Sequence, residues 1–491
     1  MRLAVIFHRF GPYHAARLAA VAGVCEVTAI ELAAETAEYA WDKIEGSTHF
    51  QRVTLFPVGD SRTAELGELQ QRMNLALQKC RPEVVAIPGW SEPGALAALL
   101  WCSETGTPVV LMSESTAHDE RRVWWKEWLK RRVVRLCSTA LVGGRLHADY
   151  LEQLGMALER VFTGYDVVEN KHFSAKAEES RKQKAESSSL PPSPPRSGRG
   201  TEGEVSQSET LKTHKDESLT PHPASGHLLP SGCGEGKFFL ASARFIEKKN
   251  LPRLIEAYAL YRETVQAEDR GLKAEDRSQR TEVADAPAFN PQSPILNPQS
   301  SIPSEFSTPI SAFSIQHSAF PQVPWDIVLL GDGPLRADLC SLIADLSLQD
   351  SVLMPGFKQY DELPAWYARA SAFVHASTSE QWGLVVNEAC AAGLPVLVSN
   401  RCGCAPELVQ EGVNGFTFDP NDARELAALM VDMAQRPDRA AMGRESERIV
   451  SHWRPAAFAT GLLQAAELAA AQPRRPAGWF DRFLLKCLMR R

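Results

Sequence analysis

A chain of 491 residues, 44% of them hydrophobic, is long enough for two domains with cores of their own. A net charge of −7 gives no general affinity for nucleic acid, so none is expected as a partner. The ten cysteines show no repeated CxxC pair and no zinc spacing; with Cys402-Gly403-Cys404 the one close pair, free thiols and no metal are expected.

Arg2–Phe7 reads as a buried strand rather than a signal peptide, and no apolar run approaches a bilayer span. A cytoplasmic protein, or one peripheral at the cytosolic membrane face, is therefore expected. Phe10–His14 is a turn into an Ala-rich helix, the opening of a doubly wound domain. Ligands bind at the carboxyl ends of such strands, so Gly11 is placed to face one. His14 has a ligand-contact and a helix-capping reading. Strands are expected at Val24–Ile30, Val53–Phe56, Val84–Ile87, Val109–Met112, Ala140–Val142 and Val161–Thr163, alternating with helices: an α/β chain with a parallel sheet. In the polar loop Glu114–Asp119, His118 is the candidate to orient an acceptor hydroxyl or touch a donor sugar; a plain surface histidine is the alternative. Arg121–Leu136 carries seven basic residues against Glu127, with Trp124 and Trp128 one turn apart. It suits an anionic membrane surface, or else a domain helix whose tryptophans lie in the core.

The first domain is expected over residues 1–173. From 174 to 236 the composition turns to Ser, Pro, Gly, Lys and Glu, which reads as a disordered linker. A second domain is expected over 237–450. Its first strand, Lys237–Ala241, leads to a loop with Arg244 and Lys249, two cations able to neutralise a diphosphate, and then to a helix from Pro252. Residues 267–324 form a second low-complexity insertion. After the strand Trp325–Leu330, Gly331 and Gly333 permit close backbone approach to a ligand. Arg336 stands where a dinucleotide fingerprint needs a third glycine. Val352–Met354 runs into Pro355–Lys358. The strand Ala372–Ala376 precedes Ser379–Ala389, where Glu380 and Glu388 flank Gly383 at a loop-to-helix junction. Backbone N–H groups of Gly383, Leu384 and Val385 suit a phosphate, Glu388 a ribose, and Glu380 a sugar attached to the phosphate. Asp422 is an expected N-cap. Residues 451–491 read as a helix, Pro455–Ala471, and a basic amphipathic tail. From Arg474 that tail has six basic residues and one acid, with Trp479, Phe480, Phe483, Leu484 and Leu488 at helical spacing.

The stretch Ser379–Val398 resembles the signature of the family-4 (group 1) retaining glycosyltransferases: two glutamates separated by seven residues, a Gly-Leu pair between them, then Ala and Gly-Leu-Pro. The resemblance implies a GT-B fold, two Rossmann-like doubly wound domains facing across a cleft, with the last helix crossing back to the first. It implies transfer from a nucleotide-sugar donor with retention and without cofactor or obligatory metal. It maps the paired glutamates onto Glu380 and Glu388 and puts the leaving phosphates on Arg244 and Lys249. It sets Phe357 and Lys358 beside the nucleotide base and Gly11 near the donor diphosphate. Three departures stand out: one glycine in the Phe10–His14 turn, Asn250 where Gly is common, and Gly403-Cys404 where Gly-Gly is frequent. The expected acceptor is a saccharide or a lipid-linked one, in cell-envelope or exopolysaccharide synthesis, with an anionic membrane surface as a further partner. Two alternatives stay open: a nucleotide-sugar epimerase on the same fold, and an inactive sugar-nucleotide-binding or scaffold protein.

Overall fold

Alternating apolar side chains split the central strands between two cores. In β1 (Arg2–Phe7), Leu3, Val5 and Phe7 enter one core and Ala4 and Ile6 another. A strand buried on both faces belongs inside a parallel sheet with helices on each side. The computed structural model describes residues 1–34, 50–59, 61–189, 237–281, 323–472 and 477–490, without the side chains of 180–181, 183–189 and 270–281. Parallel to β1 run β2 (Glu26–Ala33), β3 (Gln51–Phe56), β4 (Val84–Pro88), β5 (Val109–Ser113), β6 (Thr139–Val142) and β7 (Val161–Thr163), in the order β3-β2-β1-β4-β5-β6-β7. A second parallel sheet holds β8 (Phe238–Ser242), β9 (Asp326–Leu330), β10 (Val352–Gly356), β11 (Ala372–His375), β12 (Val396–Ser399) and β13 (Gly415–Phe418), in the order β10-β9-β8-β11-β12-β13. Strand order reverses between β1 and β4 and between β8 and β11. Open α/β sheets take ligands at such points, beyond the carboxyl ends of the strands. This is the expected pair of doubly wound units facing across a cleft.

Some readings change. No strand is expected at Gly415–Phe418, yet it forms the edge strand β13, whose four residues are too few to show a period. Residues 174–189, assigned to the linker, continue a helix that begins at Asn170. Its Phe173 and Ala177 enter the second sheet's core beside Phe238, Leu240 and Tyr367, so two apolar anchors order a polar sequence. The rest of that linker, 190–236, lies outside the described residues. So do residues 282–322 of the insertion, while the preceding helix extends over Leu251–Thr281.

The Pro455–Ala471 helix returns to the first sheet, where Phe458, Leu462 and Ala466 pack on Leu3, Val5 and Phe7. The helix Pro93–Thr105 is apolar all round, with Ala95, Leu96, Leu99 and Trp101 buried. Such a helix must be covered on its outer side. Leu485, Leu488 and Met489 of the terminal helix Trp479–Leu488 and its cap join its core. The core reading of the Trp124/Trp128 helix is overturned: in Trp124–Val134 only Val133 and Val134 are buried, and Trp124 is 81% exposed. Among the described residues no helix is long and apolar enough to cross a membrane.

Candidate active site

Backbone pairing fixes Glu380. It bridges Cys402 in parallel register, extending β11 along the loop after β12, and its carbonyl accepts from Gly403 N–H at 2.9 Å. Gly403 permits this approach, because a Cβ there would lie 1.7 Å from the Gln381 carbonyl. Close backbone approach is thus achieved at Gly403, with the buried Cys404 side chain packed beneath Gly383.

The Glu380 carboxylate accepts from Lys249 Nζ and from Ser377 Oγ at 3.2 Å, and lies 3.5 Å from His375 Nε2. Burial alone would raise its pKa. The His375 hydrogen bond and the Lys249 charge outweigh burial and hold it well below the usual carboxylate range. Burial pulls the His375 pKa down, against the hydrogen bond to Glu380. Lys249 reaches this point because Asn250 takes a left-handed backbone, φ 56°, where Gly would fit without cost. The Asn250 side chain then donates to the carbonyls of Ala376 at 3.1 Å and Pro420 at 2.7 Å. The Lys249–Glu380 pair spans the β8/β11 reversal, where a ligand is expected.

Gly383 caps the helix Leu384–Ala391 at φ 106°, a left-handed position that favours glycine, and Leu384 and Val385 form its first turn. Glu388, in the second turn, is fully buried. It accepts from Tyr367 Oη at 2.6 Å on one oxygen and from Tyr13 Oη on the other. Burial raises its pKa to about 7, against the two hydroxyl donors. Tyr13 belongs to the first unit, so this carboxylate ties the two units together.

Two further contacts close that joint. His147 accepts from Gly144 N–H at 3.1 Å on Nδ1, which makes Nε2 the donor to the Gln381 carbonyl at 2.9 Å. Asn387 donates to the Asp166 carbonyl at 3.3 Å and accepts from Trp382 Nε1 at 2.8 Å. Gly143 allows the contact: a Cβ there would meet Asp166 and Trp382 at 2.6 and 2.7 Å. Tyr13, His147, His375, Tyr367 and Asn387 were missed as site residues. Only His375 carried a signal, as a polar residue closing an apolar strand.

The remaining candidates fall as follows. Arg244 is exposed on the loop after β8. Gly331 and Gly333 pack against that loop: a Cβ on Gly331 would meet the Ala243 carbonyl at 1.9 Å, and one on Gly333 the Phe245 carbonyl at 2.7 Å. Their close approach serves the Arg244 segment. Phe357 is exposed after β10, and Lys358 lies 3.8 Å from Glu362 and over the Trp366 ring. Gly11 caps the first helix, and its N–H donates to His14 Nδ1 at 3.1 Å, which settles His14 as a capping residue. His118 is exposed at the carboxyl end of β5 and is not one of the residues gathered around Glu380. Asp422 caps its helix, accepting from Arg424 and Glu425 N–H.

Residues 310–448 match the family described as glycosyl transferases group 1. That stretch is thus similar to the group 1 glycosyltransferases. The chain is 39% identical over 107 residues to the sulfoquinovosyl transferase SQD2 of Arabidopsis thaliana, covering 21% of this chain and 20% of that protein. It is 33% identical over 117 residues to the amylovoran biosynthesis glycosyltransferase AmsK of Erwinia amylovora, 23% of this chain and 28% of that protein. The matches thus span 20% and 28% of those relatives' lengths. The whole chain superposes on Anabaena Alr3699/HepE, a structure in complex with UDP and glucose, at a TM-score of 0.58 and 15% identity, covering 94% of this chain and 98% of that one. At that identity the likeness carries the fold, GT-B.

Proposed function

We propose that the chain is a retaining glycosyltransferase that moves a sugar from a nucleotide-sugar donor to a saccharide or lipid-linked acceptor, in cell-envelope or exopolysaccharide synthesis, at the cytoplasmic side of the membrane. The observation that carries this reading is the Lys249–Glu380–His375 cluster at the β8/β11 reversal, beside the Gly383 helix start. Arg244, Lys249 and the Gly383–Val385 amides hold the leaving diphosphate and stabilise the charge that develops on it, usually the largest catalytic term. Glu380 orients the sugar, and Glu388 takes the ribose hydroxyls when Tyr13 yields its place. The bond from the anomeric carbon to the diphosphate oxygen breaks, and the acceptor oxygen bonds to the same face. The acceptor's proton passes to the departing phosphate, so no separate general base and no obligatory metal are needed. His118 lies outside this cluster and is left to the acceptor side.

Incubation with a panel of nucleotide sugars tests the reading, following nucleotide release with and without oligosaccharides or lipid extract. Acceptor-dependent release and a product of unchanged anomeric configuration are expected. Release with an altered nucleotide sugar and no acceptor would make the chain an epimerase. Binding without release under every condition would make it a binding protein.

A further inference from the structure

Two helices far apart in sequence carry the same stripe. Trp124, Trp128, Arg131 and Arg135 follow the spacing i, i+4, i+7, i+11, and so do Trp479, Phe483, Lys486 and Arg490. All eight side chains are exposed, Trp124 and Trp479 at 81% each. The helices lie side by side. Arg132 Nη2 pairs with Asp481 at 2.5 Å, its guanidinium lies over Phe480 and Trp128, and those two rings meet at 6.3 Å. The stripes therefore share one outer surface.

Packing does not account for this surface. Leu485, Leu488 and Met489 already hold the terminal helix, leaving Trp479 and Phe483 outside. The nearby acids are turned to cations: Glu127 to Arg122 and Lys130, Asp481 to Arg132, Glu120 to Lys126. Arg131, Arg135, Lys486 and Arg490 remain as outer charge on a chain whose net charge is −7. Aromatic rings flanked by cations match a boundary that is apolar within and anionic at its rim. We propose that the Trp124–Arg135 and Trp479–Arg490 helices form one docking surface for an anionic lipid bilayer, with the rings at headgroup level and the cations on lipid phosphates.

The test is flotation of the full chain with phosphatidylglycerol-containing vesicles and with phosphatidylcholine vesicles, at low and high salt. Recovery with the anionic vesicles should be at least about ten-fold greater and fall with salt. The pairs Trp124→Ser/Trp128→Ser and Trp479→Ser/Phe483→Ser should each lower it by about ten-fold or more, with unchanged circular dichroism. Arg131→Glu with Lys486→Glu repeats the test without touching an aromatic ring. Truncation is avoided because it would uncover the Pro93–Thr105 helix. No recovery with either vesicle, equal recovery with both, or full recovery of every variant would overturn the proposal. So would a dimer in solution that the same substitutions abolish, since the surface would then be a protein interface. Flotation does not depend on sugar transfer, so its failure leaves the glycosyltransferase reading standing.

Discussion

Glu380 and Glu388 sit eight positions apart in opposite electrostatic surroundings. Glu380 is held ionised by His375 and Lys249, as suits a group that orients a substrate by charge. Glu388 is sealed beneath two tyrosine hydroxyls, and burial lifts its pKa from 4.5 to about 7. The two should separate by kinetics. Glu380→Gln should slow transfer with little change in nucleotide affinity. Glu388→Ala should weaken nucleotide diphosphate binding by roughly ten- to hundred-fold, the worth of a lost hydrogen bond to a charged group. Titration calorimetry with the nucleotide alone checks both, and unchanged affinity in the Glu388 variant would remove the ribose assignment. Stability offers a second check on Glu388. Its folded pKa lies above its unfolded one, so folding takes up a proton between them. That contribution is complete below about pH 4.5 and is lost as pH rises through 7, on the order of 3 kcal/mol in all. Glu388→Gln does not titrate there. Its thermal midpoint relative to the parent should therefore rise steadily from about pH 5 to pH 8; a gap independent of pH would show that Glu388 keeps an ordinary pKa.

Loops rather than strands decide whether the site forms, and glycines decide how near those loops come. Gly403→Ala should break the site, since its Cβ would lie 1.7 Å from the Gln381 carbonyl and push Glu380 off the Cys402 bridge. We expect loss of transfer activity and a fall in thermal midpoint, whereas Gly67→Ala, in open space, should change neither. Activity intact in Gly403→Ala would mean that the bridge is dispensable. This scale also separates what was legible in the sequence from what was not. The central strands Arg2–Phe7, Val84–Pro88, Val109–Ser113 and Ala372–His375 were readable because burial on both faces makes them continuous apolar runs. The Glu380/Glu388 pair was readable from its spacing around Gly383. The helix after Asn170 was hidden because two apolar residues, Phe173 and Ala177, anchor a polar sequence. Tyr367 and Tyr13 were hidden because their roles exist only after the second sheet and the first helix meet. A lone tyrosine after Gly-Pro carries no mark of a carboxylate 375 positions away.

At the scale of the whole molecule, the chain passes between its two units at Asn170 and again before Pro455, and three of the polar contacts that bridge the joint lie at the candidate site. Two of them, His147 to Gln381 and Asn387 to Asp166, end on backbone carbonyls and leave the candidate nucleotide side chains free to change partners. The third does not. Tyr13 bonds the carboxylate proposed for the ribose, so a nucleotide and the first unit compete for one acceptor. This competition predicts an uncommon direction of effect. Tyr13→Phe keeps the ring against Tyr360 but removes the competing hydroxyl. Nucleotide diphosphate should then bind more tightly, by up to roughly ten-fold, because a hydrogen bond to a charged group need no longer be broken. The unliganded variant should be less stable by about 1–3 kcal/mol, since a buried carboxylate loses a donor. Tyr367→Phe removes the other donor, which belongs to the same unit as Glu388, and should lower stability without the gain in affinity. Calorimetry and thermal unfolding of the two variants side by side decide the matter. Weaker nucleotide binding in Tyr13→Phe would mean that Tyr13 stays on Glu388 while the donor is bound, as part of a site built from both units.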